Sequence, residues 1–454
     1  MGLSDQVSER VLFTNSDDLP AVLNQRKGFY CIRGSDLDKL ERRDFEAISA
    51  WLQGAVVSRE KKRPQLHQQE ALDHLLPALE KSDRATAIMA CGTGKTLLAL
   101  WVAERLNNVG AASAPRPAGN ILVLVPSLAL LRHTLHEWLR ETSWLNFAYL
   151  CVCSDPTVNT GTDELIVRQS DLDFPVTTDA EVVRRFLLEG AAPAAPPVKI
   201  IFSTYQSAAV VAAGVDRGFA FDLAIFDEAH KTAGREGRNF SFALDDENLP
   251  VKKRLFFTAT PRHYDVRKRD KEGDAKLVYS MDVREVYGLV AHTLTFAEAA
   301  RRGIICNYKV IISVVTSDRV NDHLLRHGKV LVKGDEIQAG QVANQLALKA
   351  AVEKHGVSKI FTFHRSVASA KSFVTPAVAA VCDHRVGGSG EGIGNHLPDF
   401  LTRHVNGTMS TAERDGLMTE FRAAPKSLPS IFCDVCQAMA FSQIGFRYQP
   451  GRVV

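Results

Sequence analysis

Five short apolar runs, ATAIMA, ILVLVP, VKIIFSTY, LAIFDEA and RLFFTAT, recur between residues 85 and 260, and amphipathic helical patterns fill the spaces between them. Each run is a stretch of Val, Ile, Leu and Phe without the polar alternation of a half-solvated strand. Such strands are buried on both faces, and strands buried on both faces with helices between them build a parallel α/β sheet. The pattern resumes at YKVIISVV (Tyr308 to Val315) and at KIFTFH (Lys359 to His364), after the helical stretch TFAEAARRGII. A second α/β lobe is therefore expected from near residue 305. With 454 residues, 45% of them hydrophobic, the chain has enough apolar material for two or three cores.

Two Ala/Pro-rich stretches, Ala111 to Asn120 and Gly190 to Pro197, read as surface loops within the first lobe, since similar strand-helix sequence continues on both sides. The Gly-rich GGSGEGIGN (Gly387 to Asn395) follows no strong strand and lacks the GxGxxG spacing, so it reads as a flexible loop. Charges nearly balance at +3, so any nucleic-acid contact must come from local basic patches. No apolar run is long enough to span a bilayer, and MGLSDQVSER has neither a signal-peptide apolar region nor the Ser or Thr that myristoylation favours, Gln6 standing there. No membrane partner is expected, and a cytoplasmic location is. The eight cysteines are then expected as reduced thiols.

The segment MACGTGKT (Met89 to Thr96) leaves the strand ATAIMA and opens the helical pattern TLLALWVAERL. In a strand-turn-helix setting, Gly92 and Gly94 let backbone amides close on phosphates at a helix N-terminus. Lys95 can reach the β and γ phosphates, and the Thr96 hydroxyl can ligate Mg²⁺. The chance alternative is a Gly-rich turn into a helix. About 130 residues on, FDLAIFDEAHKTAG puts Asp227 and Glu228 just past an apolar strand. Two adjacent acids satisfy the two needs of the chemistry: Asp227 for the metal and Glu228 to polarise the attacking water. A lone DEAH tetrapeptide could equally be the acidic start of a helix.

These residues resemble the motor of helicase superfamily 2 over roughly residues 60 to 300. In LHQQEAL, Gln68 matches the family's adenine-side element. VLVPSLALLRHTLHEW resembles motif Ia and IFSTYQSA motif Ib, which implies nucleic-acid contacts by Pro126, Ser127, Ser203 and Thr204. FFTATPR resembles motif III, with Thr258 and Thr260, together with His230 of the DEAH element, coupling the nucleotide site to the nucleic-acid track. The resemblance also adds Thr93 to the ATP-binding set of Gln68, Gly92, Gly94, Lys95 and Thr96. The cofactors it implies are ATP and Mg²⁺.

Finer similarity points to the motors of restriction enzymes, type ISP and type III Res-like, through MACGTGKT, DEAHKTAG and TATPR followed by Met281 to Tyr308. The implied fold is a tandem pair of RecA-like P-loop lobes, and the implied partners are double-stranded DNA and restriction-modification subunits or domains. RNA stays open as an alternative substrate. Residues 1–55 look like the tail of an Mrr-like nuclease domain. Asp36 and Asp38 read as turn residues, and no nuclease activity is expected. Residues 60–280 form the first RecA-like domain, 281–307 the connector and 308–454 a partial second domain.

KIFTFHRSVASAKSF resembles motif IV and HVNGTMSTAERDGLMTEF the strand and helix after it, but PSIFCDVCQAMAFSQIGFRYQPGRVV matches neither motif V nor motif VI. Arg452 is a poor stand-in for the arginine finger, which stabilises the transferring phosphoryl group. Truncation or a frame change after about Leu428 is the simplest account, with weakened hydrolysis as its consequence. Cys433 and Cys436 lack a second ligand pair and read as incidental. His364 has no assigned role.

Overall fold

The computed structural model describes residues 10–15, 29–32, 34–37, 40, 42–55, 60–107, 119–153, 174–188, 198–234, 240–263, 279–308, 329–332, 335–338, 348, 351, 354–364, 401–405, 409, 411–425 and 430–434. The chain falls into two compact units, with the described residues up to Cys306 in the first and those from Asn307 in the second. In the first unit, strands β1 (Arg10–Phe13) and β2 (Phe29–Ile32) pair in parallel. The short helix α1 (Gly34–Leu37) includes Asp36, and helix α2 (Arg42–Leu52) follows. Asp38 lies outside the described residues.

The main body of the first unit is a seven-stranded parallel sheet. Its strands are β3 (Arg84–Met89), β4 (Gly119–Val125), β5 (Ala148–Val152), β6 (Val198–Thr204), β7 (Leu223–Phe226), β8 (Arg254–Thr258) and β9 (Leu289–Leu294). Their order in space is β5-β6-β4-β7-β8-β3-β9, every pair parallel. All five apolar runs lie in the five interior strands. The two strands that the runs did not announce, β5 and β9, are the edges.

Helices α3 (Leu66–Lys81), α4 (Lys95–Leu106) and α5 (Leu128–Glu141) follow the 3.6-residue apolar spacing, with Leu72, Leu75 and Leu79 of α3 and Leu131, Leu135 and Trp138 of α5 buried. Trp138 meets Phe202 of β6 edge-on at 5.5 Å, and its indole N–H donates to the Thr96 carbonyl at 3.0 Å. The start of α4 is thereby held to the body of the sheet. Helices α6 (Ala180–Leu188) and α7 (Ala208–Ala213) cover the opposite face, where Val183 and Val211 pack with Leu122 and Ile201.

Residues 281–307, expected as a connector, do more than connect. After helix α8 (Arg284–Tyr287), β9 adds itself to β3 as the seventh strand, and helix α9 (Phe296–Arg301) follows. Gly288 makes the tight entry, at φ +71, where any Cβ would collide with the Arg84 backbone. Tyr287 is wholly buried and closes a row of rings: Tyr205, Phe226, Phe256 and Tyr287, with successive centroids 6.2, 4.6 and 5.1 Å apart. This row lies under the carboxyl ends of β6, β7 and β8.

In the second unit, β10 (Lys329–Val332) and β11 (Asp335–Gln338) form an antiparallel ribbon. A three-stranded parallel sheet has the order β12-β14-β13, from β12 (Lys359–Phe363), β13 (Leu401–Val405) and β14 (Ser430–Asp434). Helix α10 (Thr411–Ala423) precedes β14, and the Lys359 ammonium caps its carbonyl end through Phe421, Arg422 and Ala424. Strand β14 runs on past Leu428, the point after which a break was expected. Cys433 sits in the central strand, hydrogen-bonded into ladders on both sides, and is not part of an incidental tail. The runs 309–315 and 387–395, together with Cys436 and Arg452, lie outside the described residues.

Candidate active site

A parallel sheet puts the carboxyl ends of its strands at one edge, where ligands of open α/β folds bind. Here β3 ends in the loop 90–94, β7 in Asp227 and Glu228, and β8 in Thr258, and these three strands are neighbours with β8 in the middle. β4 and β6, which end at Pro126 and Thr204, continue the same edge. The candidate residues spread through the sequence from Gly92 to Thr258 are thus gathered by topology.

The loop takes the shape its glycines permit. Gly92 and Gly94 sit at φ +82 and +80, and a Cβ on Gly94 would run into the Gln68 amide. Thr93 is buried and its hydroxyl donates to the Ala90 carbonyl at 2.7 Å. Ala90 is tied across to the Leu294 carbonyl of β9 at 2.9 Å. From below, Gln68 Nε2 donates to the Thr93 carbonyl at 3.2 Å, and its Oε1 accepts the Gln65 amide at 2.9 Å. Both ends of the Gln68 amide are therefore engaged within the chain, where it buttresses the loop. The neighbouring His67 ring does the same, Nε2 to the Thr93 carbonyl at 3.0 Å. His67 did not stand out in the sequence, although it lies next to Gln68 in the same helical turn.

Lys95 opens α4 and is nearly buried. Its ammonium lies 3.7 Å from Glu228 Oε1 and 3.4 Å from the Met89 carbonyl. Asp227 is buried, and burial, with the like charge of Glu228, raises its carboxyl to about 6 against the pull of Lys95. Glu228 is also pushed up by burial, but its bond to His230 and the charge of Lys95 outweigh that and hold it below the ordinary range. Two crowded carboxylates facing one ammonium leave a net negative site. With the Thr96 hydroxyl at the helix start, the donors are all hard oxygens, the set that suits Mg²⁺ rather than a thiophilic metal.

His230 Nδ1 stands 3.0 Å from Thr258 Oγ1 and 3.3 Å from Glu228 Oε2, so one ring bridges the acid to the end of β8. The Thr260 amide donates to the same Thr258 hydroxyl at 3.2 Å, while the Thr260 side chain is exposed. The structure thus joins His230, Thr258 and Thr260 in one hydrogen-bonded path. Of the residues expected at nucleic acid, Ser127 caps α5 by accepting the Leu130 amide at 3.3 Å, and Pro126 is buried beside it. Thr204 is buried as well, and its hydroxyl bonds to the buried Ser207 at 3.0 Å. Ser203 is completely buried with its hydroxyl turned to the Thr204 carbonyl, so in this arrangement it cannot touch a nucleic acid.

Residues 61–263, which contain every one of these side chains, match the family described as type III restriction enzyme, res subunit. This segment belongs to the res-subunit family of superfamily 2 helicases. A probable helicase of African swine fever virus (isolate Pig/Kenya/KEN-50/1950) is 27% identical over 317 residues, covering 69% of this chain and 30% of the viral protein. Its counterpart in isolate Tick/South Africa/Pretoriuskop Pr4/1996 is 30% identical over 246 residues, covering 54% of this chain and 23% of that protein. Among solved structures, an ATP-dependent Type ISP restriction-modification enzyme bound to DNA, LlaBIII, superposes with a TM-score of 0.70 at 23% identity, over 95% of this chain and 28% of its own. That likeness shows a helicase-like RecA fold for the res-subunit domain. The chain spans less than a third of the length of each of these relatives. No helix among the described residues is long and apolar enough to cross a membrane.

Proposed function

We propose that the chain is the ATP-binding motor of a restriction-like system, which hydrolyses ATP as it moves on double-stranded DNA. The observation that carries this is the placement of Lys95 against Glu228 at 3.7 Å, under a loop of two left-handed glycines and beside the buried Asp227. A lysine held between a glycine loop and two acids suits a triphosphate: the loop amides and Lys95 take the phosphate charge, and Glu228, kept ionised, orients the attacking water. Asp227 and Thr96 would hold Mg²⁺, which neutralises charge on the β and γ phosphates when bound. Gln68, by bracing the loop, lies where the base would enter. His230 and Thr258 join the acid to the end of β8, and Ser127, half-buried beside the buried Pro126, stands at the adjoining edge where a nucleic-acid backbone would run.

Residues 60–280 with β9 form the first RecA-like lobe on this reading, residues 308–454 belong to a second, and residues 1–55 are the end of an Mrr-like domain. Duplex DNA as the track draws its support from the DNA-bound type ISP relative. The test is steady-state ATP hydrolysis with and without duplex DNA, RNA as competitor, on the unmodified chain and on Lys95→Ala. Hydrolysis stimulated by duplex DNA and lost in Lys95→Ala is expected. Equal turnover in both chains removes Lys95 from the chemistry, and stimulation by RNA alone transfers the track to RNA.

A further inference from the structure

Glu228 has φ +50 and ψ +46 and is the only non-glycine with positive φ among the described residues. A left-handed backbone costs an L residue about 1–2 kcal/mol, and such a conformation persists only where its surroundings over-determine it. The peptide that sets this angle is the one between Asp227 and Glu228, and it is clamped on both sides. Its N–H donates to Asp227 Oδ1 at 2.9 Å, and its carbonyl accepts the phenol O–H of Tyr205 at 2.8 Å. Turning the peptide over to relieve Glu228 would break both bonds at once and leave the Tyr205 hydroxyl unpaired in a buried place.

Tyr205 is itself immovable. It is 1% exposed, its ring lies 6.2 Å from Phe226 and meets Phe240 edge-on at 5.7 Å, and burial pushes its phenol far above the ordinary value, so it stays a donor. It begins the 3-10 turn Tyr205–Ser207 that leaves β6, directly after Ser203 and Thr204. Tyr205 therefore connects the exit of β6 with the acid pair, a path separate from the one through His230 and Thr258.

We propose that Tyr205 is a positioning residue of the ATP site, holding the Asp227–Glu228 peptide in the orientation that presents both carboxylates and linking that orientation to the β6 strand exit. The inference rests on the assignment of Asp227 to Mg²⁺ made above. Tyr205→Phe removes one oxygen and keeps the packed ring. Without the bond, the peptide keeps only its N–H bond to Asp227 Oδ1 and Asp227 is held less firmly in place, whereas the glycine loop and Lys95 are untouched.

The experiment is titration of a fluorescent non-hydrolysable ATP analogue against the full chain, in EDTA and across a MgCl₂ series, beside thermal unfolding, for the unmodified chain, Tyr205→Phe and Asp227→Asn. The expected result is that both substitutions raise the Mg²⁺ concentration needed for tight binding, Tyr205→Phe by about three- to tenfold, with affinity in EDTA and the unfolding temperature of Tyr205→Phe close to those of the unmodified chain. If Asp227→Asn raises the Mg²⁺ requirement and Tyr205→Phe does not, the positioning role is wrong while the metal assignment stands. If neither raises it, the assignment of Asp227 fails and the inference goes with it. If Tyr205→Phe lowers affinity in EDTA and the unfolding temperature together, Tyr205 is a structural core residue only.

Discussion

The left-handed backbone at Glu228 can be measured by comparing two substitutions that both delete the carboxylate, Glu228→Ala and Glu228→Gly. Each loses the same contacts with Lys95 and His230, so those losses cancel in the comparison. What differs is the backbone. Alanine keeps the left-handed strain of about 1–2 kcal/mol, and glycine is free of it. Glycine instead loses more chain entropy on folding, about 0.5–1 kcal/mol. Taking the middle of each range, the balance leaves Glu228→Gly more stable than Glu228→Ala by about 0.75 kcal/mol, the reverse of the order at an ordinary helical site. For a unit of this size, about 2–4 °C accompanies each kcal/mol, so unfolding temperatures should differ by about 1.5–3 °C with glycine the higher. Thermal unfolding of both variants by circular dichroism, without nucleotide, is the assay. An alanine variant as stable as the glycine variant, or more so, refutes the claim that Glu228 is held in a left-handed conformation.

Lys95→Ala should weaken ATP-analogue binding by about tenfold or more, as expected for loss of a charge-assisted contact, while Glu228→Gln leaves it nearly unchanged; equilibrium titration measures both. Gly288→Ala should destabilise the first unit by about 2 kcal/mol or more, because φ +71 is unfavourable to any side chain, and a thermal melt equal to that of the unmodified chain would count against the tight entry into β9. Glu141 is buried and accepts the Lys62 amide at 2.8 Å and the Arg140 guanidinium at 3.1 Å; burial raises its carboxyl, but these partners outweigh burial and leave it below its ordinary 4.5. A depressed acid contributes stability above its unfolded value and loses it as pH falls through the folded one. Glu141→Gln should therefore cost about 1–2 kcal/mol at pH 7, and the gap should narrow as pH falls below 4.5 in urea unfolding series.

What the sequence disclosed follows burial. Interior strands such as ILVLV and VKIIF are covered on both faces and must be apolar throughout, so they stand out. β5 and β9 lie at the edges: Leu289 and Val290 are half exposed, and LVAHTL admits His and Thr. Their membership is decided by pairing with a neighbour far away in sequence, which no local pattern records. The site divides in the same way. The glycine loop and the acid pair are visible because their chemistry demands particular residues at fixed spacing. Tyr205 and Tyr287 are not, because a buried tyrosine looks like core until the partner of its hydroxyl is known, here the Asp227 carbonyl and the Thr232 hydroxyl at 2.8 Å. Gln68 was visible as a residue, but its engagement with Thr93 depends on how α3 packs beneath the loop.

The seventh strand bears on how this protein can be cut into pieces. The family match ends at residue 263, whereas β9 runs to Leu294. A fragment trimmed to the matched span would turn β3, the strand that carries the glycine loop, from an interior strand into a raw edge, with a row of open amides and carbonyls inviting intermolecular pairing. It would also strip the Ala90 amide of its Leu294 partner and the Thr86 hydroxyl of the Tyr287 carbonyl, 2.6 Å away. A soluble minimal fragment of the first unit therefore has to extend past Leu294, and the shorter piece is the one that should aggregate.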